Sequence, residues 1–409
     1  MPLRSRGTGY TTTVLGPGGV WRPKAGIVPL RTLSIPVEDV PRMGFGAPVQ
    51  PWLAWTLHGG PRWAARPWDE RHHDSADVTV PRGTYNGVVW TAETVVSADG
   101  LTFSAPVAIS SAAEEDCQQV SVVLGEADTA IVVYAATDTA TGAHRVYFAY
   151  SDDGGVTWQG PHELDAPATG SESSFPSPAI SGSADANGDG PVIVFTWRDD
   201  TPDPSIPGVT YVSIYYRAIV AADLVTALGS GVFAWVDPPA VLVAGTVDDD
   251  YRDPCVWATP TGSFTISFSD QPFGRPPPAS ITFAAETSGP AHGAVWTAAE
   301  LDPIHADSQN FVNGTVAWPW MWAVASWEYA SESSDTTSIY GAVRDLRDPS
   351  APWVPVGQLS AEHWNVETVR SHTVWAGPDG GLILGYIWIS ADRTRAGLRV
   401  RNGTVLEAP

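Results

Sequence analysis

Apolar residues in this chain fall into short runs separated by turn-forming clusters. Five segments share one plan: a polar lead-in, a short apolar run, a Gly/Asp-rich turn and a stronger apolar run. They are DCQQVSVVLGEADTAIVVYAA (116–136), PSPAISGSADANGDGPVIVFTW (176–197), DPCVWATPTGSFTISFSD (253–270), HTVWAGPDGGLILGYIWIS (372–390) and, more loosely, NGTVAWPWMWAVASWEY (313–329). Runs this short, bounded by Gly and Asp, suit strands better than helices, so each segment predicts a β-hairpin. A second strand pair follows each one: HRVYFAYSDDGGVTW, TYVSIYYRAIVAADL, ASITFAAETSGPAHGAVW, TSIYGAVRDLRDPSAPW and AGLRVRNGTVLEA.

The hairpins begin near residues 118, 176, 254, 314 and 373. Steps of roughly 60 to 80 residues fit four-stranded units repeated around an axis. PWLAWTLHGG and NGVVWTAETVVSADGLTFSAPVAI supply an earlier unit. The expected fold is therefore all-β: a six-bladed β-propeller of four-stranded antiparallel blades over residues 49–409, with five blades as the alternative. Residues 1–48 form a Gly/Pro-rich N-terminal extended arm. Within it, RTLSIPVEDV is expected to supply a closing strand, which would remove the sheet edges an open array leaves exposed.

Composition supports this reading. The 409 residues include 39 Gly, 36 Pro and 19 Trp, and Lys24 is the only lysine, so turns and aromatic packing outweigh charged helices. The net charge of −23 excludes a nucleic-acid partner, because a phosphate-binding surface needs a basic stripe. No apolar run approaches a membrane span, so no membrane insertion is expected, and the N-terminal sequence has no apolar h-region of a Sec signal. Cys117 and Cys255 fall two units apart and are expected to stay unbridged.

One corner, YSDDGGVTWQGP (150–161), joins the third and fourth strands of its unit. It spends Ser151, Asp153, Gly155, Thr157 and Trp158 on a tight turn. The carboxylate and hydroxyls can bond backbone groups inside the turn, glycine permits positive φ, and the indole can pack beneath the hairpin. A shorter copy, SADGLTF, keeps the order with Ser97, Asp99, Gly100, Thr102 and Phe103. The Ser-x-Asp-x-Gly-x-Thr-Trp corner is the Asp-box, and the chain resembles the sialidase-like β-propellers with BNR repeats. In that family the box lies away from the active site, so the resemblance implies a structural role for these ten residues.

The same resemblance implies that ligands meet the face where loops enter the innermost strands. The lead-ins there are EEDC, SESSF, DDDYRDP, HADSQNF and HWNVETVRSH. They gather Glu115, Asp116, Asp250, Asp253, Asp307 and Glu367 beside Arg252, Arg370, His305, His363 and His372. Crowded carboxylates shift one another's proton affinities, as acid/base work on a glycosidic bond requires. Asp253, Asp116 and Glu367 are the candidate catalytic residues, and Arg252, Arg370, His305, Asp307 and Trp364 the candidate ligand-binding ones. YRDPCVW also looks like the Arg-Asp-Pro segment of fructan and arabinan hydrolases, which implies that Asp253 stabilises a transition state. Their early Asn-Asp-Pro motif is absent. The arginine clamp and Arg-Ile-Pro opening of true sialidases are also missing, the nearest segment being LSIPV (33–37).

Two further segments carry candidate chemistry. DANGDG places Asp185, Asn187 and Asp189 at alternate positions before Gly190, the opening of an oxygen-rich loop, so a structural Ca²⁺ is weighed against an Asx-rich turn. RHHDSAD (71–77) reads as a polar loop. No cofactor is required by any motif.

Three functions compete: a non-catalytic glycan-recognising or assembly propeller, a glycoside hydrolase acting on a surface polysaccharide, and a purely structural virion subunit. The first is preferred here. Family members act on external glycans, yet no leader is read, which points to a phage or phage-like particle released by lysis. The expected partners are a cell-surface glycan and neighbouring particle subunits contacted through the arm. The expected location is the virion or extracellular particle, with the cytoplasm as the alternative.

Overall fold

A computed structural model describes the backbone of seven strands ahead of residue 107 and, from there to residue 405, most of the chain. Left out of that span are 112, 125–128, 154, 165–170, 185–187, 189, 204–208, 231–232, 234–239, 247–248, 260–261, 273–280, 288–294, 303–307, 318–320, 331–336, 349, 361–366, 377–380 and 391–395; some strand residues are described by backbone alone.

The chain begins with β1 (Ser5–Thr8), β2 (Thr11–Leu15), β3 (Trp21–Ile27) and β4 (Leu30–Leu33). A four-stranded sheet follows, built from β5 (Arg42–Phe45), β6 (Leu53–His58), β7 (Ala92–Ser97) and β8 (Val107–Ala108). The second sheet holds β9 (Glu114–Leu124), β10 (Ala130–Asp138), β11 (His144–Ser151) and β12 (Gln159–Glu163). The third holds β13 (Glu172–Ala184), β14 (Pro191–Pro202), β15 (Thr210–Val220) and β16 (Ala240–Val243), with helix α1 (Ala221–Ser230) between its last two strands. The fourth comprises β17 (Asp249–Ala258), β18 (Phe264–Pro272), β19 (Ile281–Thr287) and β20 (Thr297–Glu300). The fifth comprises β21 (Ser308–Ala317), β22 (Trp322–Ala330), β23 (Thr337–Asp345) and β24 (Val354–Gln358).

These five sheets are antiparallel meanders, in which each strand pairs with the next in sequence. The last sheet contains β25 (Glu367–Ala376), β26 (Gly381–Ser390) and β27 (Ala396–Val405). It is completed from the other end of the chain. Leu33 to Arg31 of β4 pair antiparallel with Leu398 to Val400, and Thr13–Leu15 of β2 run parallel to Gly403–Val405.

The first strands of successive sheets lie side by side: β5 next to β9, then β13, β17, β21, β25 and back to β5. Every middle sheet is therefore covered on both faces, which explains its near-continuous apolar strands. Side chains alternate across a strand, so both sets must be apolar when both faces are buried. In β14, Ile193, Phe195 and Trp197 pack with Ile131, Phe148 and Leu164 of the second sheet. The intervening Val192 and Val194 pack with Val256, Ile266 and Phe268 of the fourth. Trp257 and Ala284 meet Val312 and Trp327 of the fifth sheet, and Ile339 and Val343 meet Val369, Leu384 and Tyr386 of the last.

One element differs from the sequence reading. The run expected to continue as strand after Val220 turns helical at Ala221. Ala and Leu favour a helix, Asp223 sits in its first turn, Leu224 packs into the core shared by the second and third sheets, and Ala227 is buried. Among the described residues no helix is long and apolar enough to cross a membrane.

Close approach between inner strands fixes one glycine. A Cβ on Gly314 of β21 would lie 2.5 Å from the ring of Trp257 in β17, and that indole is buried. Gly314→Ala should lower stability by about 1–3 kcal/mol, read as an earlier thermal unfolding midpoint, because a packed core resists added volume. An unchanged midpoint would show that the ring can shift.

Candidate functional site

Each inner strand from the third sheet onward carries an irregularity at the same height. Register shifts lie between Ser174 and Ser177, Arg252 and Cys255, Asn310 and Asn313, and Arg370 and Thr373. In β9 the equivalent break falls between Gln118 and Ser121. Bulges re-aim side chains and bend the strand. Two of them hold non-glycine residues at positive φ, Phe175 at 55° and Asp253 at 54°. Both precede proline, which disfavours the right-handed helical region for the residue before it, and aspartate tolerates the left-handed region better than most.

Below the bulges a polar belt crosses four inner strands. Ser177 Oγ donates to Cys255 Sγ at 3.8 Å, and Cys255 Sγ donates to Asn313 Oδ1 at 3.7 Å. Asn313 Nδ2 donates to the His372 carbonyl at 2.8 Å and lies 3.4 Å from His372 Nε2. Neither cysteine is in a disulfide. His372, expected among the mouth groups, is instead 6% exposed within this belt. Burial pushes its imidazole down to about 4, against a smaller opposing effect from the Ser326 backbone.

Above the bulges lies an ionic cluster shared by two sheets. Arg198 near the end of β14 donates through Nε and Nη2 to the two oxygens of Asp200, at 2.6 and 2.5 Å. Arg252 of β17 donates through Nη2 to Asp250 Oδ2 at 2.7 Å. Burial opposes the Arg198 charge, but the hydrogen bonds and charge of Asp200, with the charges of Asp253 and Asp250, more than offset it and hold the guanidinium above its ordinary value. Asp253 is 8% exposed and Asp250 3%. Asp250 Oδ1 and Arg252 Nε are buried without a hydrogen-bond partner. On the opposite face of β14, Asp199 is 4% exposed and accepts from Thr201 Oγ1 and, at 3.1 Å, from Ser173 Oγ. Burial raises its carboxyl above the usual range despite those hydrogen bonds.

The structure thus brings together Asp253, Arg252 and Asp250 from the sequence-derived set and adds Arg198 and Asp200. The last two fall in RDDTPDPSIPG, expected to be a loop, but Arg198 to Pro202 continue β14 and pair with Ile214 to Thr210. Asp116 lies in β9 and Glu367 and Arg370 in β25, near the starts of inner strands, as backbone positions. His305, Asp307 and Trp364 lie outside the described residues, as do Asp185, Asn187 and Asp189. Among the described residues no group of three or more His, Cys, Asp or Glu is placed to hold a metal ion. Trp197, Trp257, Trp327 and Trp353 are core residues.

The Asp-box corner sits at the other end of its sheet. Ser151 pairs at the level of Ala130 and Leu124, whereas the start of β9 pairs with Asp138, beside the start of β11. The length of β9 separates the two ends by about 30 Å. Asp153 accepts hydrogen bonds from Ser151 Oγ at 2.8 Å, the Val156 and Thr157 amides at 3.0 and 2.8 Å, and Thr157 Oγ1 at 2.6 Å. The Gly155 amide donates to Ser151 Oγ at 2.8 Å, and Gly155 has φ 85°. Trp158 packs against the core on the far face of the second sheet. The Thr157 side-chain and backbone bonds draw the Asp153 carboxyl down to about 2. Of the shorter copy, Ser97 ends β7 as a backbone position, while Asp99, Gly100, Thr102 and Phe103 lie outside the described residues.

No family model and no curated protein matches the chain. Solved structures do. A polysaccharide lyase, an ulvan lyase bound to -[GlcA(1-4)Rha3S]-, is 11% identical, with 100% of this chain and 96% of that one covered and a TM-score of 0.52. An α-L-arabinofuranosidase from Fusarium graminearum in complex with an iminosugar inhibitor is 9% identical, with 98% of each chain covered and a TM-score of 0.54. Trypanosoma rangeli sialidase in complex with sialic acid is 11% identical, covering 97% of this chain and 58% of that one, with a TM-score of 0.51. At such identities the likeness establishes the fold alone: the four-stranded antiparallel sheets are those of a sialidase-like β-propeller.

Two predictions follow from this geometry. Asp153→Ala should cost about 1 kcal/mol through lost turn hydrogen bonds, read as an earlier thermal unfolding midpoint. An unchanged midpoint would show that these bonds add nothing to stability. For His372, the folded value of about 4 lies below the ordinary 6.5, so its contribution to stability is complete above 6.5 and is lost as pH falls toward 4. His372→Gln should flatten the melting temperature across that window; a curve parallel to the parent's would assign the acid response elsewhere.

Proposed function

We propose that the protein is a glycan-acting enzyme, a glycoside hydrolase working at the mouth of a six-bladed propeller. The observation that carries this reading is the cluster of Asp250, Arg252 and Asp253 at the entrance of inner strand β17 with Arg198 and Asp200 near the end of the adjoining β14. The neighbours in fold support it: each is named as acting on or binding a glycan. They favour the hydrolase over a non-catalytic recognition head and lend no support to a particle subunit.

Cleaving a glycosidic bond needs one carboxyl group to protonate the leaving oxygen and a second to attack or activate water from the other face. Asp253 is the first candidate for the attacking or charge-stabilising carboxylate. The bulge and Pro254 fix its backbone, burial excludes water around it, and Arg198 presents a guanidinium charge nearby. Asp116 and Glu367, on inner strands of the same ring, are the candidates for its partner. Asp199 is protonated more readily than an ordinary aspartate, but it faces the second sheet, where Ser173 and Thr201 occupy both its oxygens.

Asp253→Asn should reduce release of reducing sugar from a polysaccharide substrate by about 100-fold or more, while circular dichroism and melting stay close to the parent's. Retained turnover in a folded Asp253→Asn protein would remove this residue from the chemistry.

A further inference from the structure

We propose that the mouth accepts uncharged sugars and turns away uronate and sulfate-ester glycans; this rests on the glycan-acting reading and narrows its substrate class. A site for an anionic sugar needs arginines free to clamp it. Here each described arginine of the cluster already faces a carboxylate: Arg198 spends Nε and Nη2 on Asp200, and Arg252 donates through Nη2 to Asp250. Asp253 adds a third carboxylate against two guanidinium groups, so the cluster is net negative before any ligand arrives. The whole chain, with 45 Asp and Glu against 22 Lys and Arg, adds a repulsive field at longer range.

The unpartnered atoms point the same way. Asp250 is almost wholly buried, yet its Oδ1 has no donor, and two residues along the same strand Arg252 Nε has no acceptor. A hydroxyl can serve either group, donating to a carboxylate or accepting from a guanidinium. A carboxylate or sulfate can serve the arginine but has no proton to give Asp250 and would bring a like charge against it. Neutral sugars carry hydroxyls on adjacent carbons and no such charge. The contrast is with the fold neighbour that holds -[GlcA(1-4)Rha3S]-, whose ligand carries a uronate and a sulfate in each repeat.

The test is binding of the full chain to arabinan and galactan, as neutral polymers, and to polygalacturonate and ulvan, as anionic ones, at low and high salt. The expected result is at least one neutral ligand, bound about tenfold or more tightly than either anionic polymer, with little salt dependence. Asp200→Asn, which removes one negative charge and one charged acceptor from Arg198, should raise affinity for polygalacturonate about tenfold relative to that for the neutral ligand. Tighter binding or cleavage of an anionic polymer by the parent protein would overturn the neutral-sugar assignment and leave the glycan reading standing. No binding or cleavage of any polymer would overturn both. A folded Asp200→Asn protein with no gain for polygalacturonate would show that Arg198 is not what the acid withholds.

Discussion

Burial on both faces is the constraint from which the rest of the structure follows. A sheet sandwiched between two others has no solvated side, so its strands cannot alternate apolar with polar residues, and β10 from Ala130 to Ala136 and β14 from Val192 to Phe195 are instead runs of apolar residues. Polar residues are thereby driven to the strand ends and to the inner strands, where the sheets converge. The inner strands are accordingly the most irregular, carrying bulges at one height and small polar side chains below them. The Ser177–Cys255–Asn313–His372 belt satisfies donors and acceptors between neighbouring strands that no meander connects. It also sets the platform on which Asp253 is displayed.

Much of this architecture was legible in the sequence, because a repeat with both faces buried writes itself as paired apolar runs at regular intervals. The five hairpins read from residues 116 to 390 correspond to β9–β10, β13–β14, β17–β18, β21–β22 and β25–β26. The Asp-box corner was legible for a different reason: its bonds span only four residues, so local sequence contains the whole interaction. The Arg252-Asp253-Pro254 segment stood out for its resemblance to the Arg-Asp-Pro segment of fructan and arabinan hydrolases.

What escaped the sequence depended on partners far along the chain. Arg198, Asp199 and Asp200 sit in a run of charge and proline that reads as a loop, yet β15 pairs with it to Pro202 and makes strand of it. Nothing local shows that Arg198 and Asp200 face the fourth sheet while Asp199 faces the second. His372 misleads for the same reason: it follows a polar lead-in, but a bulge after Arg370 carries it past the mouth and against Asn313. Helix α1 was missed because one short amphipathic stretch directly after a strand adds too little periodicity to be separated from it.

The two ends of the sheets divide stability from chemistry. At the Asp-box end a carboxylate is fully occupied by its own turn, with hydroxyl and amide donors within four residues, and its proton is held weakly. At the entrance of β17 Asp250 and Asp253 are buried, and Asp250 keeps an oxygen without a donor. An unsatisfied buried carboxylate oxygen costs the fold free energy of about 1–3 kcal/mol or more. Arg252 Nε, two residues along the same strand, is in the same condition, so the buried charge of β17 is concentrated at its entrance, at the opposite end of the sheets from the Asp-box.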